Sequence, residues 1–346
     1  MNIKKITSIA SVVLIAALLI YGIKLYRDIF SENTKFSENE FFVHIPSDAT
    51  YEDVKMIISP FIENMDHFEM VASKRSYIEN VKSGRFLFKK GMNSFELVST
   101  LRQNVPVKLA FNNQERLENV MGRVGSQIEA DSISLMKIFT DSTFLKANGF
   151  TEDNVISICL PNTYEFYWNT KADKFRDKMV KEYRKFWNAE RTSKATKLGL
   201  TPIQVMTLAS IVHKETVKKD ERPRVARVYL NRLKLAMPLQ ADPTVIFAKK
   251  KQLSNFDTII KRVYFNDLKI NSPYNTYFYL GLPPGPIAMP DITAIEAVLN
   301  PEDNDYIYFC ASVSKFGYHE FASDLNQHAA NRKKYVAWLD EQIAKK

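Results

Sequence analysis

With 346 residues, 45% hydrophobic and 25% charged, the chain is long enough for two domains and too apolar to be disordered over most of its length. A formal charge of +9 raises nucleic acid as a partner, but lysine and arginine are dispersed among acids with no basic-aromatic module, so no nucleic-acid partner is expected. A solvated basic surface, suited to an anionic membrane or polymer, accounts for the excess.

Lys4 and Lys5 precede an uncharged run of 18 residues, 6–23. At about 1.5 Å per residue it just reaches across a hydrocarbon core of roughly 30 Å. Small-x-small cleavage residues are missing after the run, where Tyr21, Gly22, Ile23 and Lys24 stand, so a retained single anchor is favoured over a cleaved signal peptide. A leader of residues 1–5 that stays in the cytoplasm puts the remainder outside. The polar stretch within 24–40 reads as a tether.

A strand is expected at 41–44. Thr50 can cap a helix running to 62 with a break at Pro60, and 65–79 reads as a second short helical or turn region. Residues 83–88 give a turn and a strand, and Asn93 and Ser94 open a helix with Phe95, Leu97, Val98 and Leu101 on its apolar face. A further strand, 107–111, follows Pro106. Residues 115–150 alternate at helical spacing, with Leu117, Val120, Val124, Ile128, Ile133, Leu135 and Phe139 as core candidates. Residues 161–164 break that pattern before a long amphipathic helix over 171–187.

The stretch 201–221 is the most informative. Thr201 as N-cap, Pro202 at the first helical position and Gln204 three residues after the cap specify a helix start, and Val205, Met206, Leu208, Ala209, Ile211 and Val212 leave little polar surface. Glu215 follows Leu208 by seven and Ile211 by four, so it extends the apolar stripe. Desolvation there disfavours the charged form and suits a proton-carrying general acid near neutral pH. A structural role, capping or pairing at the helix end, stays open on spacing alone. His213 lies roughly 200° round the helix from Glu215, which makes it an unlikely partner.

Val225, Val228, Tyr229 and Leu233 mark a second helix after Pro223. Residues 239–244 read as a polar turn-like segment in which Asp242, preceding Pro243, is extended or in a turn, its side chain displayed rather than absorbed into a helix. The run 272–290 holds five prolines and two glycines and reads as a long loop. Its Tyr274, Tyr277 and Tyr279 offer faces and hydroxyls, and Asn275 and Thr276 compact hydrogen-bonding groups, which together suit a sugar; ordinary loop packing stays open. A last strand at 306–311, a turn at 318–321 and a closing helix through 336–343 complete the chain. Gly-rich phosphate loops, GxSxG and HExxH are missing, and Cys159 and Cys310 lie far apart without metal-ligand spacing, so no metal or cofactor is expected and no disulfide framework is specified.

Several blocks together carry a resemblance: Leu208-Ala209-Ser210-Ile211-Val212 through Lys214-Glu215-Thr216, the run 239–246, Tyr274-Asn275-Thr276-Tyr277 with 281–288, and His319-x-Phe321. In that order the chain resembles the YceG-like (MltG) family of endolytic murein transglycosylases, strongly from about residue 161 onward and more weakly before, where 84–101 resembles the family's LysM-like subdomain. The resemblance implies an α+β fold with an N-terminal transmembrane helix (6–23), a small LysM-like αβ subdomain (41–105) and a larger mixed α+β catalytic domain (106–346). It implies that Glu215 is the catalytic acid and base in non-hydrolytic cleavage of the bond between N-acetylmuramic acid and N-acetylglucosamine, leaving a 1,6-anhydro end. Gln240, Asp242, Thr244, Asn275, Thr276 and Tyr277 would line the glycan groove, with Ser210, Tyr274 and His319 as further substrate-binding candidates from the matching blocks. Partners implied are murein glycan strands, the bacterial inner membrane, with the catalytic domain facing the periplasm, and penicillin-binding proteins. The alternatives are a hydrolase using Glu215 with Asp242, or a non-catalytic wall-binding scaffold.

One departure stands out. Many relatives carry an acid two positions before the catalytic Glu, where this chain has His213. Because that position points away from Glu215, His213→Ala is expected to retain turnover; loss of activity in a variant with an intact fold would overturn the geometric argument.

Overall fold

The computed structural model describes residues 3–344; Met1 and Asn2 of the expected leader, and Lys345 and Lys346, lie outside the described residues. The chain divides into two compact units. The first comprises Met1–Leu109, Gln127–Ala130 and Tyr164–Lys171; the second comprises Ala110–Ser126, Asp131–Thr163 and Ala172–Lys346.

In the first unit the apolar run forms one helix, α1 (Ile3–Phe30), which continues well past Lys24. Its part Ser8–Phe30 is long and apolar enough to cross a membrane. Of the tether expected over 24–40, residues 24–30 continue α1, and the remainder is bound to the unit through Asn33. That residue is buried, its amide donating to the Asn64 carbonyl at 2.8 Å and to Ser94 Oγ at 2.9 Å, while its Oδ1 accepts from the Asn64 N–H at 2.6 Å. A polar composition concealed this, since an asparagine that satisfies backbone groups reads in sequence like one that faces water.

Beyond this latch, β1 (Glu40–Ile45) leads to α2 (Tyr51–Ile58) and α3 (Met65–Lys74), and β2 (Gly84–Lys89) to α4 (Ser94–Thr100). β1 and β2 pair antiparallel with Val43 opposite Phe86 and Phe41 opposite Phe88. Alternation puts Val43, Ile45, Phe86 and Phe88 on one face, where they join Val54, Ile58, Phe68 and Leu97 in a core. Thr50 and Asp53 form a capping box at α2, which gives way at Pro60 to a single 3₁₀ turn. Phe95, expected in the core, is instead 40% exposed with the Arg75 guanidinium over its ring.

β3 (Pro106–Phe111) pairs with β4 (Asn162–Tyr167), and the unit boundary falls within both strands. β4 occupies the place where a break was expected; its alternation, with Tyr164 and Phe166 buried between exposed neighbours, was the signal passed over.

The second unit is mostly helical. α5 (Leu117–Gly125), α6 (Ser132–Phe139) and α7 (Ser142–Asn148) form the 115–150 region. Ile133 is 80% exposed against expectation, because Leu135 and Phe139, four apart, define the buried face of α6 and Ile133 lies about 200° from Leu135. α8 (Ala172–Phe186) and a short α9 (Ala189–Lys197), which had no counterpart in the sequence reading, precede α10 (Pro202–Glu215).

α10 is the enclosed helix anticipated, with a Thr201–Gln204 capping box and every residue from Val205 to Val212 buried. Around it pack α11 (Arg222–Lys234), α12 (Asp242–Gln252) and α13 (Ile292–Leu299). The expectation of Asp242 outside a helix is corrected, since α12 begins at that residue; Pro243 sits in the first turn, where its missing N–H has no helical partner to lose. β5 (Tyr308–Ala311) and β6 (His319–Ala322) form an antiparallel pair where a turn was expected at 318–321, and α14 (Leu325–Ala344) closes the described chain.

The long segment 272–290 contains neither helix nor strand. It is held close to the protein at Gly285, where a Cβ would lie 2.0 Å from the Asp153 carbonyl oxygen, so that only glycine fits.

Asn33→Ala would leave the Asn64 N–H and the Ser94 hydroxyl without their buried partner. It is expected to destabilise the first unit by about 1–3 kcal/mol, read as faster amide exchange in β1 and β2; unchanged exchange would show that the latch does not hold.

Candidate active site

α10 ends on Glu215, and the chain turns extended at Thr216 immediately after. The carboxyl is partly buried, and its Oε1 accepts a hydrogen bond of 2.6 Å from the Tyr229 hydroxyl. Tyr229 stands on α11, 1% exposed, its ring edge-on to Phe309. Burial pushes the Glu215 carboxyl up to about 7, with the Asp242 charge adding to the rise; the Tyr229 hydrogen bond and the His319 and Arg232 charges oppose it. The group is therefore able to hold a proton near neutral pH and to release one.

Two further elements bring polar groups to this carboxyl. Asp242, exposed at the start of α12, accepts at 2.6 Å from the Tyr277 hydroxyl of the long loop. His319, at the start of β6, has its Nδ1 2.8 Å from Glu221 Oε2, and its backbone N–H donates to Glu221 Oε1 at 2.7 Å. Glu221 is 3% exposed. Burial alone would raise its carboxyl, but the hydrogen bonds from the His319 ring and backbone, with the His319 charge, hold it below the usual range. Glu221 thus fixes the ring orientation of His319 through Nδ1, leaving Nε2 for another contact.

Gln240 is exposed with a φ of 51°, a left-handed backbone uncommon for a side chain of this kind. Its N–H donates to the Thr276 carbonyl at 3.0 Å, and the Ala241 N–H donates to Thr276 Oγ1 at 3.1 Å. These bonds staple the 239–241 turn to the 274–277 loop, and the conformation of Gln240 follows from them.

Four of the substrate-binding candidates lie in the interior. Ser210, Thr244, Asn275 and Thr276 are each at most 1% exposed. Ser210 Oγ donates to the Thr207 carbonyl at 2.7 Å and accepts from the Ile287 N–H at 3.0 Å, tying the long loop to α10. Thr244 Oγ1 and Thr276 Oγ1 lie 2.8 Å apart, and the Asn275 amide donates to the carbonyls of Leu268 and Ile270. Their polar groups are spent on the protein itself. Compact polar residues in a Pro-rich loop read as ligand groups in sequence, but they are also what a loop without secondary structure needs to satisfy its backbone. Tyr274 is likewise buried, its ring on Phe247 and its hydroxyl 3.0 Å from Asp153.

His213 faces elsewhere, as its helical position required. Its Nδ1 lies 3.2 Å from Asp291 and 3.3 Å from the buried Arg222 guanidinium, which also donates to Thr293 at 2.6 Å. Tyr229, Glu221 and Arg232 were missed by sequence reasoning. Arg232, 7% exposed, spends its guanidinium on the carbonyls of Ile307 and Leu239. Tyr229 and Arg232 belong to an ordinary amphipathic pattern, and only the fold brings them to Glu215. Among the described residues no group of three or more His, Cys, Asp or Glu is placed to hold a metal ion.

The sequence profile of the YceG-like family matches residues 43–334. The chain is 26% identical over 345 residues to an endolytic murein transglycosylase of Bacillus subtilis, covering 94% of this chain and 93% of that protein. It is 33% identical over 176 residues to an endolytic murein transglycosylase of Streptococcus pneumoniae, covering 51% of this chain and 31% of the pneumococcal protein. A crystal structure of a protein from Listeria monocytogenes described as YceG-like matches with a TM-score of 0.55 at 26% identity, covering 85% of this chain and 99% of that one.

The Tyr229 hydrogen bond favours the ionised form of Glu215, so Tyr229→Phe is expected to move the Glu215 titration midpoint above about 7. Carboxyl carbon NMR of the labelled protein reads this directly, and a midpoint that stays put or falls would contradict the assigned contact.

Proposed function

Because the chain belongs to the YceG-like family, we propose that it is a membrane-anchored endolytic murein transglycosylase whose chemistry is carried by Glu215. The single observation behind this reading is the carboxyl at the end of the enclosed helix α10, held by Tyr229 and raised to about 7. One such group is sufficient for the reaction. Protonated, Glu215 gives its proton to the glycosidic oxygen as the bond to the muramic acid C1 breaks. Ionised, it then takes the proton of the same sugar's 6-hydroxyl as that oxygen closes on C1, giving the 1,6-anhydro ring and returning the carboxyl to its starting state. A hydrolase needs in addition a carboxylate to activate water or to form a covalent intermediate.

In this reading Asp242, Gln240, Tyr277 and His319 line the cleft around Glu215, and Ser210, Thr244, Asn275 and Thr276 position the loops that carry them. Tyr229 and Glu221 act as positioning residues, the first on Glu215 and the second on His319. We further propose that α1 is a retained span in the bacterial inner membrane with the remainder in the periplasm, and that cutting of nascent strands beside penicillin-binding proteins ends their elongation. The division into a LysM-like subdomain at 41–105 and a catalytic domain at 106–346 belongs to the same proposal; the two-stranded sheet with helices over one face supports its first part.

The hydrolase reading draws on one observation, the charge of Asp242 acting on Glu215. The protein incubated with uncrosslinked glycan strands is expected to yield anhydro ends, with Glu215→Gln slower by at least about 100-fold. Reducing ends carrying an added water would favour the hydrolase, and intact strands from the unmutated protein would favour a scaffold.

A further inference from the structure

The second unit contains a cavity of about 400 Å³ that the proposed reaction does not use. Its wall is apolar and aromatic, with Phe247, Phe256 and Tyr274, and its charged lining has both signs, with Arg116 and Lys251 against Glu118 and Glu152. The cations differ in what they are doing. Lys251 Nζ is paired with Asp153 at 2.9 Å, and the neighbouring Lys250 with Glu115 at 2.9 Å.

Arg116 is paired more loosely, with Glu118 alone. Its guanidinium lies 4.4 Å over the Phe256 ring, and its Nε is buried with no hydrogen-bond partner among the described residues. The Glu118 carboxylate lies 3.9 Å from Nη1, beyond hydrogen-bond distance. A guanidinium over an aromatic ring at a cavity wall, with only a long contact to Glu118, can take a planar carboxylate from outside the protein. Glu118 and Glu152, both exposed at the same cavity, suit a cationic group a few ångströms away.

The cavity also shares the lining residue Glu115 with a second one. A smaller cavity of about 220 Å³ is walled by Lys214, Pro243, Ile246, Lys250, Ile287 and Glu115. Lys214 and Pro243 are the immediate neighbours of Glu215 and Asp242, and Glu115 lines both cavities. Along α12, the nine helical steps from Asp242 to Lys251 span roughly 13.5 Å at about 1.5 Å each.

From these placements we infer that the cavity is a subsite for the peptide stem of murein, with the free carboxyl end of the stem on Arg116 and a stem amine beside Glu118 and Glu152. A stem of five residues hangs from the muramic acid at the bond being cut and extends at most about 17 Å, enough to pass from the cleft over Pro243 and Ile246 to the cavity. An uncrosslinked stem carries both a terminal carboxylate and an unacylated amine, and a crosslinked one has lost a charged group, so the cavity would favour uncrosslinked strands. The identity of the ligand rests on the murein reading of Glu215; the cavity and its arginine do not.

The test is calorimetric titration of the full chain, carrying Glu215→Gln, with a synthetic stem pentapeptide. Saturable binding is expected, weakened at least tenfold by Arg116→Gln and by amidating the peptide's carboxyl end. The amidated peptide leaves the protein unaltered, so the conclusion does not depend on how the Arg116 variant folds. Absence of saturable binding, or equal binding of the amidated peptide, would overturn the inference. Stem binding by a protein whose unmutated form leaves glycan strands uncut would support the subsite while removing the transglycosylase reading, and cutting without stem binding would do the reverse.

Discussion

The hydrogen bond from Tyr229 to Glu215 is the interaction on which the candidate site depends, because it makes a partly desolvated carboxyl tolerable at the end of a buried helix. Burial without any partner would push the group toward permanent neutrality, and full exposure would leave it ionised. The phenol satisfies one oxygen and moderates the rise, and burial of the phenol among α11 and Phe309 fixes where that oxygen is. The midpoint near 7 is thus a balance of opposed effects, and the capping box fourteen residues away from Glu215 contributes by pinning the helix that delivers it.

Around this carboxyl the structure uses a division of labour between displayed and interior polar groups. Asp242, Gln240, Tyr277 and His319, the residues proposed for the cleft, are each set by something behind them. The Thr244–Thr276 contact and the Gln240 N–H bond to Thr276 hold two loops in register, Ser210 ties the Pro-rich loop to α10, and Glu221 aims His319. The buried threonines and asparagine do for the loops what ladder hydrogen bonds do for a sheet.

Much of the framework was legible from residues. The start and end of α10, its enclosure, the direction of His213 away from Glu215 and the capped helix at Thr50 came from caps and periodicity. The elements that escaped reading did so for physical reasons. β4 and β6 are short and pair with partners distant in sequence or across a turn, so neither shows a long pattern. α12 was hidden because Asp-Pro is extended in most settings yet equally acceptable at a helix start. Whether Asn275 and Thr276 face a ligand or the interior depends on the fold of the loop, which local composition does not encode. Tyr229 and Arg232 become neighbours of Glu215 only through the packing of α11 on α10.

The latch at Asn33 sets the length of slack between α1 and the body of the first unit. Only two residues lie between the end of the helix at Phe30 and a side chain fixed to Asn64 and Ser94, a leash of three Cα steps and at most about 10 Å when fully extended. If α1 occupies a bilayer as proposed, that unit stands at its surface like a post set directly in the floor, with little freedom to lift away or sweep sideways. Its vertical position would then be a fixed property of the chain, and any glycan contact it makes would lie close to the membrane plane.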